Sequence, residues 1–134
     1  MTNTEIIQKG YEYFGAGDIE GLLSLFADDI SWTVPNIENA AFGGSRKGNK
    51  AVTEFFGQLA DAEDFDRFEP LEFIAEGDKV VVLGETSATV KGTGKNYDTE
   101  WVHVFHLRDG KVTEFKEFLD TAAANRAFQK TATA

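Results

Sequence analysis

Apolar residues near the start of the chain recur at helical spacing. Thr2 and Glu5 are spaced as a capping box, which predicts a first helix that ends near Gly15 and Gly17. The apolar residues of this helix cover a broad face and are Ile6, Ile7, Tyr11, Tyr13 and Phe14. We therefore expect the helix to be buried on more than one side.

A short second helix is predicted after Asp18, a favourable N-cap residue. Apolar residues then fall at i, i+3, i+4 and i+7, namely Ile19, Leu22, Leu23 and Phe26. Alternation of polar and apolar residues over positions 29–34 predicts a strand, which Pro35 ends. Residues 36–48 are expected to form a loop.

A third helix is predicted from Asn49, interpreted as its N-cap, because one stripe of the following segment is apolar. The stripe consists of Val52, Phe55, Phe56 and Leu59. The acidic segment 61–66 comes next and is interpreted as a solvated loop.

The second half of the chain has the period of strands. Four strands are predicted at 68–75, 79–90, 97–108 and 111–119, joined by turns at Gly77, Thr93 and Gly110. Three helices followed by an antiparallel meander predict an α+β fold, in which the helices cover one face of a strongly curved sheet and enclose an apolar pocket. No Pro- or Ser-rich linker divides the chain, so we predict one domain over residues 1–134.

The turn around Gly110 allows two registers for the last hairpin. A two-residue turn pairs Leu107 with Val112 and mixes aromatic with charged residues on both faces. A three-residue loop with a bulge at Gly110 pairs Leu107 with Lys111 instead. We predict the second register, because it alone separates an aromatic face from a polar one.

In that register one face of the hairpin is aromatic and is interpreted as the inside of the fold. It carries Trp101, His103, Phe105, Phe115, Glu117 and Leu119. The opposite face mixes charged residues with Val102, Val104 and Phe118, which suits solvent or a subunit contact. Burial favours the neutral forms of carboxyl and imidazole groups, so His103 and Glu117 are candidates for proton transfer at neutral pH.

Composition limits the classes of partner. The chain has 134 residues, a formal net charge of −10 and no cysteine. Its negative charge argues against nucleic acid and membrane surfaces as partners, and the lack of cysteine excludes disulfides and thiolate chemistry. His103 and His106 lie on opposite faces of one predicted strand and cannot bind a metal together. With no secretion signal or long apolar run, we expect a cytoplasmic protein.

Three segments of the chain carry a family resemblance: YFGAGDIEGLLSLFADDISW, GGSRKGNKAVTEFF and VFHLRDGKVTEFKEFLDT. They resemble the nuclear transport factor 2-like superfamily, and within it the SnoaL-like and ketosteroid isomerase-related branch. The likeness extends over nearly the whole chain. It implies a cone-shaped α+β half-barrel, a pocket between helices and sheet, a homodimer formed through the outer face of the sheet, and no metal or organic cofactor.

The resemblance also bears on individual residues. Ketosteroid isomerase uses an Asp base with an oxyanion hole made by Tyr and a protonated Asp. Alignment on the shared segments puts Gly10 at the Tyr, Val34 at the base and His103 near the remaining acid, so we expect no steroid isomerisation. In the polyketide cyclase branch, an acid–base carboxylate on the final strand matches Glu117, and Asp120 lies just beyond it.

Each candidate also has a structural interpretation. Glu117 is either a general acid–base group or an edge-strand carboxylate paired with Lys116 or another basic neighbour. His103 is either a proton carrier or a core imidazole bonded to a backbone carbonyl. Asp120 either assists at the pocket rim or caps the segment 121–130. The residues predicted to contact a ligand, unless they are plain core, are Tyr13, Trp32, Glu85, Trp101, Phe105, Phe115 and Leu119.

Three functions fit these residues. The first is a cofactor-independent enzyme that transfers protons within a small apolar or polyketide-like molecule, with Glu117 as acid–base group and His103 as its partner or as an oxyanion donor. The second is a pocket that binds a hydrophobic molecule without turnover. The third is a dimeric assembly domain in which the outer sheet face matters more than the pocket.

Overall fold

Four helices and six strands run through residues 1–130, the part of the chain that the computed structural model describes. The helices are α1 Asn3–Gly15, α2 Ile19–Leu23, α3 Asn49–Ala62 and α4 Thr121–Phe128. The strands are β1 Phe26–Val34, β2 Gly44–Lys47, β3 Glu63–Glu76, β4 Lys79–Val90, β5 Asn96–Arg108 and β6 Lys111–Leu119. The last four residues of the predicted 1–134 domain lie outside the described part.

The six strands form one sheet in the order β2-β1-β6-β5-β4-β3. Strands β3 to β6 are the predicted antiparallel meander, and β1 lies parallel to β6 in addition, so the sheet is mixed. Because β2 and β3 remain as two separate edges, the sheet curves without closing. The predicted α+β class and cone-like half-barrel are confirmed.

Local capping explains where the first two helices begin. Thr2 Oγ1 accepts a hydrogen bond from the backbone N–H of Glu5 at 3.1 Å, and Glu5 Oε1 accepts one from the Thr2 backbone at 2.8 Å. Asp18 Oδ1 likewise accepts from the N–H of Gly21 at 2.8 Å. Both pairs satisfy backbone donors that a helix start leaves free, so the two predicted N-caps are confirmed.

Three boundaries in the first half differ from the predictions. Helix α2 ends at Leu23, and Phe26 is the first residue of β1 rather than part of the helix. Residues 36–48 are not all loop, because β2 pairs with β1 inside this range. Asn49 is not the cap of α3: Gly48 takes that position with φ of 90° and donates its N–H to the carbonyl of Ile30 at 2.8 Å.

Strand β3 begins at Glu63, five residues before the predicted start, so most of the acidic segment is strand rather than loop. Bulges after Phe65 and after Pro70 each insert one extra residue opposite β4. The residues paired with the buried positions of β4 are therefore unevenly spaced, at 63, 65, 68, 70, 73 and 75. The two bulges bend the edge of the sheet. They also interrupt the alternation of inward and outward residues along β3, so the sequence of this strand does not show a regular period of two.

The two faces of the last hairpin carry the predicted residues, but the turn and the position of the bulge differ from the prediction. Asp109 and Gly110 form a two-residue turn with φ of 51° and 78°, and Leu107 pairs with Val112. The predicted pairing of Leu107 with Lys111 is therefore wrong. The extra residue is Thr113, after which the register shifts and His103 lies opposite Glu117. The shift lets both Val112 and Phe115 be buried on the inner face.

The core lies between the inner face of the sheet and the helices. Its largest fully buried side chains come from β1, α3, β4 and β6, and they are Ile30, Val52, Val80, Val82, Val90 and Val112. Aromatic side chains fill the space around them, as the high phenylalanine content suggests. Within residues 1–130, no helix combines the length and apolarity that crossing a membrane requires.

Candidate functional site

A cavity of about 100 Å³ lies between the sheet and the helices. Five of the residues predicted to contact a ligand line it, and they are Trp32, Trp101, Phe105, Phe115 and Leu119. The two predicted ionisable groups, His103 and Glu117, line it as well. The sequence therefore brings the aromatic wall and the proton-transfer candidates into one space.

His103 connects two other side chains of the cavity wall. Its Nδ1 lies 2.7 Å from the hydroxyl oxygen of Tyr11 on α1, and its Nε2 lies 2.8 Å from Oε2 of Glu117 on β6. The imidazole is 4% exposed and stacks on the indole of Trp101 with ring centroids 3.9 Å apart. A continuous hydrogen-bonded chain thus joins a phenol, an imidazole and a carboxyl group in an apolar setting.

The partners of His103 determine which of its nitrogen atoms donates a hydrogen bond and which accepts one. A carboxylate only accepts hydrogen bonds, so with Glu117 ionised the proton of His103 lies on Nε2. Nδ1 is then an acceptor, and the hydroxyl of Tyr11 donates to it. Burial, and secondly the charge of Glu117, raise the pKa of Tyr11 well above its ordinary value, so the phenol keeps the proton that it donates.

Only one carboxylate oxygen of Glu117 has a hydrogen-bond partner within residues 1–130. Its Oε2 accepts from His103, while Oε1 makes no hydrogen bond within residues 1–130. The side chain is 21% exposed and lines the cavity, and Oε1 is not among the fully enclosed atoms without a partner. An oriented carboxylate with one free oxygen is the arrangement that a general base needs.

A glycine opposite Trp101 helps to position this group. Gly84 on β4 pairs with Trp101 on β5, and a Cβ at Gly84 would lie 2.2 Å from the indole ring and 2.6 Å from the Glu69 carbonyl oxygen. The indole therefore lies flat over the backbone of β4, where its Nε1–H donates to Thr86 Oγ1 at 3.0 Å. In this position the ring supports the imidazole of His103.

A second polar pair lines the cavity away from His103. Tyr97 on β5 donates its hydroxyl hydrogen to Oε2 of Glu63 at 2.7 Å. Burial is the main cause that raises the pKa of Glu63 to about 7, and the charge of Glu117 adds to it, although the Tyr97 hydrogen bond acts in the opposite direction. Burial also raises the pKa of Tyr97 above its ordinary value, so this phenol is protonated too.

Three predicted site residues lie outside the cavity wall. Tyr13 packs against Gly21 of α2, because it is two positions from Tyr11 and therefore faces another side of the helix. Glu85 projects from the outer face of the sheet and pairs with Arg67. Asp120 caps α4, where its Oδ1 accepts from the N–H of Ala123 at 3.1 Å.

The structural interpretations of His103 and Glu117 do not describe their contacts. Strand β6 lies between β1 and β5, so Glu117 is not on an edge strand, and Lys116 is paired with Glu114 at 3.5 Å instead. Both ring nitrogens of His103 bind side chains rather than a backbone carbonyl. For Asp120, in contrast, the capping interpretation is the one that the geometry supports.

Sequence reasoning missed Tyr11, Glu63 and Tyr97 as cavity residues. For Tyr11 a signal existed, because Ile7, Tyr11 and Phe14 are spaced i, i+4 and i+7 and all three line the cavity. The acidic surroundings of Glu63 concealed its burial. Among residues 1–130, no three His, Asp or Glu side chains are arranged to hold a metal ion.

The two positions that align with isomerase residues are apolar in the structure. Gly10 is buried beside Leu22, and the side chain of Val34 is 4% exposed. The next residue along α1, Tyr11, supplies a phenol to the cavity instead. The polar groups of this site are therefore a different set from that of ketosteroid isomerase.

Fold and site together define a class: an α+β half-barrel whose curved sheet and helices enclose an aromatic cavity with a few buried, paired ionisable groups. Residues 7–115 match the SnoaL-like domain family, and the chain belongs to that family.

Solved structures of similar proteins cover almost the whole chain. An NTF2-like protein of unknown function from Burkholderia pseudomallei is 30% identical, with a TM-score of 0.89 over 96% of this chain and 99% of that chain. TerC, co-crystallised with polyporic acid, is 33% identical, with a TM-score of 0.85 over 94% of this chain and 97% of that chain. An uncharacterised protein of Mycobacterium tuberculosis is 24% identical over 92% of this chain and 93% of its own length.

Proposed function

We propose that this protein is a cofactor-independent acid–base enzyme of the isomerase, cyclase, lyase or hydrolase type, acting on a small hydrophobic or polyketide-like molecule. The observation that carries the proposal is the Tyr11–His103–Glu117 chain at the wall of an aromatic cavity. A buried carboxyl group that is oriented by an imidazole, which is itself oriented by a third group, is a recurrent arrangement in proton-transfer sites.

Each member of the chain has one role. Oε1 of Glu117 takes a proton from the bound molecule, or from a water that attacks it, and returns that proton to another atom of the molecule or to its leaving group, so no cofactor is needed. His103 is a positioning residue that holds Oε2 through Nε2–H. Both of its nitrogens are occupied, so the oxyanion-donor role is not assigned to it. Tyr11 fixes the tautomer of His103 by donating to Nδ1.

The cavity wall supports an aromatic or alicyclic substrate. Aromatic rings from six elements surround the space, including Trp32 and Phe115, whose centroids are 3.8 Å apart. Flat apolar walls with a few fixed polar groups are typical of small-molecule sites. The co-crystal of TerC with polyporic acid supports the same class of ligand for this chain.

The test is deuterium incorporation next to the carbonyl of small cyclic and aryl ketones in D₂O, followed by proton NMR. We expect the wild type to accelerate exchange and Glu117→Gln to reduce the rate on the order of 100-fold, the usual contribution of a general base. Glu114→Gln is the matched control, because Glu114 lies on the same strand but pairs with Lys116. Equal rates for the wild type and Glu117→Gln would rule out the proposed role of Glu117.

A second candidate function is ligand binding without turnover, which the predominance of aromatic over ionisable groups in the cavity wall favours. In that case no ketone shows accelerated exchange. Polyporic acid would bind Glu117→Gln as well as it binds the wild type, whereas Trp101→Ala would weaken binding, as isothermal titration calorimetry can measure. A strong effect of Glu117→Gln on both affinity and exchange contradicts this second function.

We also propose that two copies associate through the outer face of the sheet. Phe118 is 56% exposed there, beside the partly exposed Val102 and Val104, and an apolar patch on a strand surface suits an interface. Phe118→Glu should convert a dimer into a monomer in sedimentation-velocity experiments. An unchanged sedimentation coefficient for this variant would exclude this face as the interface.

A further inference from the structure

Glu63 is a buried carboxyl group that the proposed mechanism does not use. It lies where α3 meets β3, and its backbone N–H donates to the carbonyl of Leu59. Its side chain nevertheless enters the cavity wall, and the whole residue is only 5% exposed. A helix end needs no carboxyl side chain at this place, so the group calls for a separate explanation.

The hydrogen bonds of Glu63 leave one oxygen free. Tyr97 donates its only hydroxyl hydrogen to Oε2, and within residues 1–130 Oε1 has no protein partner. Oε1 is also absent from the fully enclosed unpartnered atoms, so it retains contact with open space. A protonated Glu63 can therefore direct an O–H donor away from Tyr97.

The surroundings of Glu63 favour its neutral form up to a pKa of about 7. The titratable groups that share its cavity are Tyr11 from α1, Tyr97 and His103 from β5, and Glu117 from β6, and no Lys or Arg of residues 1–130 lines that cavity. On its other side Glu63 borders a surface groove whose charged residues are Glu12, Asp64, Asp66, Arg67 and Lys91.

The two cations of that groove have other partners. Lys91 Nζ donates to the carbonyl of Ala60 at 2.7 Å and lies 3.6 Å from Asp64, and Arg67 pairs with Glu69 and Glu85. Neither cation forms an ion pair with Glu63. The desolvated carboxyl group is thus balanced by a neutral phenol alone, which favours its protonated form.

We propose that Glu63 and Tyr97 form a second binding point of the cavity, which donates a hydrogen bond from the Glu63 carboxylic acid to a neutral carbonyl or ether oxygen of the ligand. The inference rests on the proposed function in placing the reacting end of the ligand at Glu117. It adds a substrate class: a ring-sized apolar molecule with two oxygen functions, one at Glu117 and one at Glu63.

Two uncharged probes test the second binding point. Para-acetylbenzyl alcohol carries a hydroxyl group and a ketone oxygen at opposite ends of a ring, whereas para-ethylbenzyl alcohol lacks the ketone. Neither ionises between pH 5 and pH 9. We expect the wild type to bind the ketone-bearing probe on the order of 10-fold more weakly at about pH 8.5 than at about pH 6 in isothermal titration calorimetry, because the Glu63 donor is lost. The affinity of the ethyl probe should be the same at these two pH values.

Variants of Glu63 and Tyr97 test whether the change of affinity with pH is caused by Glu63. Glu63→Gln keeps a donor that does not titrate, so it should bind the ketone-bearing probe equally at both pH values and close to the wild-type affinity at about pH 6. Tyr97→Phe removes a hydrogen bond that lowers the pKa of Glu63, so its step should move to higher pH. Circular dichroism confirms that each variant is folded.

Several results would overturn the proposal. They are a pH step that persists in Glu63→Gln, equal behaviour of the two alcohols, or no binding of the ketone-bearing probe at its solubility limit. Failure of the proposed function is a separate result, since it requires that Glu117→Gln leave ketone exchange unchanged. A flat pH profile for Glu63→Gln supports the second binding point even in that case.

Discussion

The inner and outer faces of the sheet use the same residue types in different ways. On the inner face the ionisable groups are hydrogen-bonded to one another in an apolar setting, in the Tyr11–His103–Glu117 chain and the Tyr97–Glu63 pair. On the outer face Glu85 pairs with Arg67 in solvent, with both side chains at least 40% exposed. The outer pairs hold opposite full charges, whereas the inner pairs are built around phenols and an imidazole.

The environment of a carboxyl group, rather than its residue type, therefore determines its chemical properties. Glu114 and Glu117 are three residues apart on β6, and the bulge at Thr113 sets the register in which only Glu117 faces the cavity. Water screens the charge of an exposed carboxylate, while burial raises the cost of ionisation.

The largest contrast is between large apolar side chains on the two faces. Trp101→Ala should lower the free energy of unfolding by about 3–5 kcal/mol, because it empties space beneath the His103 ring. Leu71→Ala is the matched control: this side chain is 57% exposed, and the change should cost less than about 0.5 kcal/mol. Urea denaturation measures both values. Similar losses for the two variants would contradict the assignment of the faces.

The second prediction concerns the pH dependence of stability. Glu63 has a pKa of about 7 in the folded protein and an ordinary value of 4.5, so between these values the folded state holds more protons. Stability is therefore lost as pH rises from about 4.5 to about 7, by on the order of 3 kcal/mol at full titration. Glu63→Gln should lack this loss.

The matched control for this pH effect is Glu85→Gln, since Glu85 lies on the outer face. Urea denaturation at about pH 5 and about pH 8 should give the same loss for Glu85→Gln as for the wild type. A difference between Glu63→Gln and the wild type that does not change with pH would argue against a neutral Glu63.

The third prediction tests the space that Gly84 provides. Gly84→Ala forces the Trp101 ring or the Glu69 carbonyl to move, which should cost about 1–3 kcal/mol and alter the near-ultraviolet circular dichroism of the indole. Gly57→Ala is the control, because Gly57 lies on an exposed part of α3 with no atom near its Cβ position. That change should stabilise the helix by roughly 0.5–1 kcal/mol.

The smallest effect is expected on the outer face. Glu85→Gln breaks an exposed ion pair with Arg67, and such pairs contribute about 0–1 kcal/mol. The difference in the free energy of unfolding between this variant and the wild type should decrease as salt is added. A loss of several kcal/mol would mean that Glu85 is buried, for example in a subunit contact.

Local sequence signals predicted most of the fold. The bounds of β4 and β6 agree with the prediction because the turns at Gly77 and Gly110 mark where these strands begin, and the caps at Thr2 and Asp18 are set by neighbouring residues. Bulges caused the errors in β3 and in the last hairpin. Each shifts the alternation by one residue, and its position depends on contacts across the sheet, such as the bond from the Val112 N–H to the Leu25 carbonyl.

The candidate site was predictable in part for the same reason. His103 and Glu117 lie opposite each other on one hairpin, so a correct face assignment was enough to bring them together although the bulge lies at Thr113. Tyr11 and Glu63 reach the cavity from α1 and from a bulged strand, and only the tertiary packing brings them to the hairpin. Glu63 was hidden further by its acidic neighbours.

The chain has two tryptophans, and both line the cavity. Trp32 stacks on Phe115 with an indole N–H that has no partner within residues 1–130, and Trp101 stacks on His103. Indole fluorescence of this protein therefore originates entirely from the cavity wall. The protein carries an intrinsic optical sensor of cavity occupancy, and a library of compounds can be screened against the unlabelled wild type by emission alone.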